Sequence, residues 1–121
     1  MSVFYHPITV LSASGEETAE VDALADTGST YLWLPRPFLE RLGHRPVASR
    51  RMIIATGGEI ERGVAPVVVR LNGEAWAVPC VFGDEGSTPL LGAMVLEAFS
   101  LAADPVNHRL IPVPSLAMGA S

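Results

Sequence analysis

One acid in this chain stands where acids are seldom placed. The stretch "LADTGSTYLWLP", residues 24–35, sets Asp26 in a small polar turn between two apolar runs. A buried carboxylate costs roughly several kcal/mol unless it is paired or hydrogen-bonded. A carboxylate in this position has two uses. It can lock a turn by accepting backbone N–H groups, with Gly28 supplying an open backbone angle. It can also do acid–base chemistry. Two carboxylates held close together cannot both stay charged, so they share a proton. The charged member can then take a proton from water while the protonated member hydrogen-bonds a substrate oxygen.

The surrounding pattern must position that turn. "VFYHPITVL" reads as a first strand, and "AEVDALA" as a second that delivers Asp26 to its loop. After the turn, "YLWLP" reads as a third strand. "RPFLERLG" follows as a short helix, with Pro37 in its first turn and Gly43 as its stop. "SRRMIIA" and "EIERGVAPVVVRL" flank "TGG" as the two arms of a hairpin, and "NGEA" turns the chain into "WAVPCVFG". "PLLGAMVLEAF" passes from a buried strand into a second short helix, and "SLAADPVNHRLIPV" closes as a last hairpin. Many short strands with two small helices predict an all-β fold, a barrel or a sandwich. A length of 121 residues without linker or repeat predicts a single domain, 1–121.

Composition narrows the function classes. Thirteen acids against eight basic residues leave a net charge of −5, which argues against nucleic acid as a partner. Charged residues make up 17% of the chain, against a usual share of about 25%. Part of the surface is therefore expected in an oligomer interface. All basic residues are Arg, which suggests a GC-rich, bacterial source, and five of them fall between Arg36 and Arg51. That patch reads as a solvated face, with an acidic peptide as its alternative partner. Cys80 is the lone cysteine and sits in an apolar run, so no internal disulfide is expected. No stretch has the features of a signal peptide or the length of a membrane span, and the expectation is a soluble, cytoplasmic protein.

Other chemistries lack their signatures. His6, His44 and His108 are scattered without metal-ligand spacing, so no metal or cofactor is expected. No strained serine elbow is present. "TGGE" is too short for a phosphate loop and lacks its Lys.

Asp-Thr-Gly alone occurs by chance in roughly a few per cent of chains this long. Its context is more telling. "DTGSTYLWLP" closely resembles the active-site stretch of aspartic peptidases. In that family a hydrophobic strand leads into Asp-Thr-Gly-Ser/Thr. A glycine-bearing flap hairpin follows, here "MIIATGGEIERG". A second motif of two apolar residues and a glycine then enters a short helix, here Leu90, Leu91 and Gly92. The elements occur in family order over most of the chain. With one Asp-Thr-Gly and a single lobe's length, the chain resembles a retropepsin-type subunit.

The resemblance implies a β-barrel or sandwich with a flap hairpin, acting as a homodimeric aspartic endopeptidase on peptides or proteins. Asp26 of each copy would form the catalytic pair. Thr27 would bond across the dimer axis, Gly28 would let backbone N–H groups near the carboxylates, and Ser29 would support the outer carboxylate oxygen. Ile54, Ala55, Thr56, Gly57 and Gly58 would form the flap over substrate, with Ile53, Ile54 and Ile60 placed to touch it. Three departures stand out: Ile54 where pepsin-like flaps carry Tyr beside the residue matching Trp33, Ala93 where retropepsins often carry a polar residue, and Pro112 and Pro114 in the terminal segment. The alternative reading is a non-catalytic retropepsin-like module that dimerises or binds peptide.

Overall fold

The computed structural model describes residues 3–114. Its chain order is β1 (Phe4–Leu11), β2 (Thr18–Ala25), β3 (Leu32–Pro35), α1 (Arg36–Arg41), β4 (Ala48–Ile53), β5 (Glu59–Leu71), β6 (Glu74–Gly83), β7 (Leu90–Leu91), α2 (Ala93–Ala98), β8 (Leu101–Asp104) and β9 (Arg109–Pro112). The expected strands and both short helices are present. "SRRMIIA" ends as a strand two residues early, because Ile54 and Ala55 pass into the hairpin turn.

Seven strands form one sheet in the order β1-β2-β7-β3-β6-β5-β4, and β1 also pairs with β5 through Thr9↔Arg70 and Val10↔Val69. That extra pairing closes the sheet into a barrel, with β4 left outside the ring as the free arm of a hairpin. β8 and β9 form a separate two-stranded sheet. Of the two prolines in the terminal segment, Pro112 ends β9 and Pro114 is the last described residue; residues 115–121 lie outside the described residues.

Alternation sets the inside of the barrel. Leu32 and Leu34 of β3, Ala65, Val67, Val69 and Leu71 of β5, and Val78, Cys80 and Phe82 of β6 are all buried. Each large apolar side chain so buried is worth about 1.5–3 kcal/mol relative to exposure. Burial pushes the Cys80 thiol up to about 12, only partly offset by its backbone contact at Leu34, so the sulfur behaves as a small core hydrophobe.

Two strand prolines sit on stretches paired on one side only. Pro66 and Pro79 face each other across β5 and β6. β4 leaves β5 at Val64, β1 joins it at Val69, and β3 pairs with β6 only from Cys80 onward. Each proline therefore sits where its strand has no ladder partner on the other side, so the missing N–H leaves no bond unmade.

Local stops are equally specific. Gly43 ends α1 with φ +82, a backbone angle that disfavours residues with a Cβ. Just beyond it, the buried His44 places Nε2 2.8 Å from the Leu11 carbonyl and ties the helix end to β1. Asn72 and Gly73, at φ 51 and 80, make the two-residue turn between β5 and β6. Among the described residues no helix is long and apolar enough to cross a membrane.

Candidate active site

β2 carries the chain to Asp26 against β7. Leu24 N–H donates to the Pro89 carbonyl at 2.8 Å, and Asp26 N–H donates to the Leu91 carbonyl at 3.0 Å. The chain then turns sharply. Ser29 N–H donates to the Asp26 carbonyl at 3.1 Å, and Gly28 N–H donates to Asp26 Oδ1 at 3.0 Å. A Cβ on Gly28 would stand 3.2 Å from Asp26 Oδ1, tighter than an ordinary contact. The turn thus holds the carboxylate through a backbone N–H, and its glycine permits that approach.

α2 secures the other side of the loop. Ala93 N–H donates to the Ser29 carbonyl at 2.8 Å, and Met94 N–H donates to the Thr30 carbonyl at 3.0 Å. A short helix has free N–H groups in its first turn, and here two of them are satisfied by the loop carrying Asp26. The brace at Ala93 is a backbone bond and involves no polar side chain at that position. Leu91 and Gly92 are buried beneath the loop.

Asp26, Gly28, Ser29, Thr30, Tyr31, Trp33, Met52, Ile53 and Leu90 line one open cleft of about 350 Å³. The carboxylate stands on its polar side. Trp33, Met52, Ile53 and Leu90 supply apolar walls, suited to a side chain of a bound peptide. Trp33 therefore faces the cleft as well as packing.

Residues 54–58, expected to form a flap, make the tip of the hairpin between β4 and β5. Gly57 N–H donates to the Ile54 carbonyl, and Ile54 N–H donates to the Gly58 carbonyl, both at 2.9 Å, with Gly57 at φ +93. This is a three-residue loop with a glycine bulge. Ile54 and Ile60 do not line the cleft; Met52 and Ile53 do. Thr27 shares the turn of Asp26 and is exposed. Sequence reasoning missed Thr30, Tyr31 and Met52. The first two directly follow the motif, and Met52 precedes the tip by one strand period, which was the available signal. Among the described residues no group of three or more His, Cys, Asp and Glu is placed to hold a metal.

A family model for aspartyl proteases matches residues 9–95, most of the chain and the whole of this site. The chain belongs to the aspartyl protease family. This retropepsin-like aspartic peptidase also resembles, in fold, the solution structure of simian foamy virus (mac) protease. The two are 18% identical, with a TM-score of 0.53, over 78% of this chain and 94% of that one. No curated protein matches. Membership places the protease among hydrolases, and the likeness agrees with its all-β barrel.

Proposed function

We propose that the chain is an aspartic endopeptidase, a single domain over residues 1–121, active as a homodimer with Asp26 from each copy in one catalytic pair. One observation carries the reading. The Asp26 carboxylate lies beside an apolar cleft on a turn braced by Gly28, β7 and α2, so its position is set by backbone bonds.

The chemistry follows from pairing two such turns. Two nearby carboxylates hold one proton between them. The ionised one accepts a proton from a bound water as that water attacks the peptide carbonyl carbon. The protonated one donates a hydrogen bond to the carbonyl oxygen as charge develops there. The protein side forms no covalent bond. Thr27 would bond across the two-fold axis and Ser29 would brace the outer carboxylate oxygen. The flap, Ile54 to Gly58, would fold over the peptide and exclude water.

The test is incubation of wild type and Asp26→Asn with a mixed peptide library, with and without chelator. Wild type should cleave in both conditions, and Asp26→Asn should stay folded and inert. Turnover by Asp26→Asn, or loss of wild-type turnover with chelator, would sink the mechanism. A folded wild type that binds peptides and cleaves none would establish the peptide-binding module.

A further inference from the structure

We infer that the outer face of β4, β5 and β6 carries a second peptide groove, which takes an apolar residue and an acidic residue of the substrate beyond the catalytic cleft. This rests on Asp26 acting on peptides, and it names a class of substrate for that site.

The groove is a depression of about 330 Å³ whose walls include Val47, Ala48, Arg50, Pro66, Ala77 and Pro79. These walls are apolar apart from Arg50, yet they face solvent: Val47 is 75% exposed. Pro66 and Pro79, paired across the strands, offer two rigid rings without N–H groups. Such a surface suits an aliphatic or aromatic side chain.

The strand register joins groove to cleft. Leu90 pairs with Trp33, Trp33 with Val81, Val81 with Val64, and Val64 with Ala48. Leu90 and Trp33 line the cleft, while Val64 and Ala48 line the groove. The two depressions therefore lie toward opposite ends of one row of residues across the sheet. Three strand spacings of about 4.8 Å separate Trp33 from Ala48, roughly 14 Å in all, which about four extended residues can span. Val81 and Val64 between them are buried, so a peptide that reaches both sites passes over the atoms that cover those two residues.

Charge selects the occupant. In a chain with net charge −5, acids to pair with Arg are plentiful. Even so, the ion pairs among the described residues are Arg36–Glu40, Arg62–Asp84 and Arg109–Asp104. Arg50, at the groove, donates only to the carbonyl of its neighbour Ser49, at 3.3 Å. Arg45 and Arg51, also exposed, belong to none of those pairs. A guanidinium left to solvent beside an apolar trough fits a carboxylate that arrives with an apolar neighbour.

The test uses Asp26→Asn protein and fluorescein-labelled peptides. Each peptide holds a central apolar pair flanked on both sides, about four residues away, by Leu-Glu or by Leu-Lys. The Glu peptide should bind about tenfold more tightly, the worth of one charge-assisted hydrogen bond. Arg50→Glu in the same background should erase that preference. Ala77→Asp should weaken the Glu peptide about as much. Both positions are exposed, and an unchanged melting temperature shows that the fold survives. Equal affinities, a preference that persists in Arg50→Glu, or no binding of either peptide would overturn the inference. So would a Glu peptide that splits the protein into smaller sedimenting species, because the groove would then seat a second copy. The two readings fail separately. Wild type that cleaves peptides without Glu preference removes the groove and keeps the peptidase. The Glu preference in a wild type that cleaves nothing keeps the groove as a docking site and removes the peptidase.

Discussion

Gly92 and Thr30 meet backbone to backbone. A Cβ on Gly92 would stand 2.5 Å from the Thr30 carbonyl carbon and 2.6 Å from its oxygen, and 2.5 Å from the Tyr31 oxygen. No side chain fits there. The backbone at Gly92, φ −85 and ψ 176, is open to any residue, so the need is for space alone. The glycine of the second motif thus sets how closely α2 approaches the loop that carries Asp26.

Gly92→Ala should push these two segments apart. Overpacking of this kind costs about 1–3 kcal/mol of stability. Displacement of the loop by about 1 Å should lower turnover on the order of a hundredfold. Thermal melting and peptide cleavage check the pair of effects. A variant with wild-type kinetics would show that the contact is structural only.

Gly57 and Gly58 should respond differently. Gly57 holds φ +93, whereas a Cβ on Gly58 would meet Ile54 only at an ordinary 3.5 Å. Gly57→Val should cost about 1–2 kcal/mol locally and slow turnover by altering the flap tip. Gly58→Ala should be mild by both measures. Equal kinetics in the two variants would mean that this hairpin does not cover the cleft.

Asp104 should make the last hairpin acid-sensitive. The side chain of Asn107 donates to Asp104 Oδ2 at 2.8 Å, and the Asn107 and Val106 N–H groups donate to Oδ1. With Arg109 nearby, these bonds hold the carboxyl below its ordinary value of 3.8. A depressed carboxyl stabilises the fold above its unfolded value, and that contribution fades as pH falls through the lower folded value. Wild type should therefore melt above Asp104→Ala at pH 7, and the gap should close as the pH is taken below 3.8. A gap unchanged across that range would assign the stability to packing.

Activity should require two copies. Each chain supplies one Asp-Thr-Gly turn, and the mechanism uses two carboxylates. Specific activity should fall on dilution through the dimer dissociation constant. Excess Asp26→Asn mixed with wild type should suppress turnover, because mixed dimers hold one ionisable Asp26. Full-rate cleavage by a sample that sediments as a monomer would contradict the shared pair.

The amino-acid sequence by itself determined the local parts. Alternating apolar residues specify strands such as β5 and β6, because a half-buried strand presents every second side chain to the core. Asn72-Gly73, Gly43 and the "TGG" tip specify turns and stops, because few residues accept their backbone angles. The polar turn at Asp26 is legible for the same reason, and the family resemblance extended that turn to a chemistry. The tertiary structure alone decided how distant parts meet. Closure of the barrel rests on Val10 facing Val69, a register that no local pattern encodes. The path of the β4–β5 hairpin over the sheet places Met52 and Ile53, and not Ile54, along the cleft. The brace at Ala93 is a backbone N–H, which every residue but proline carries, so nothing in the residue's type announces it. Pattern reports which face a side chain takes; only packing between remote segments sets what that face touches.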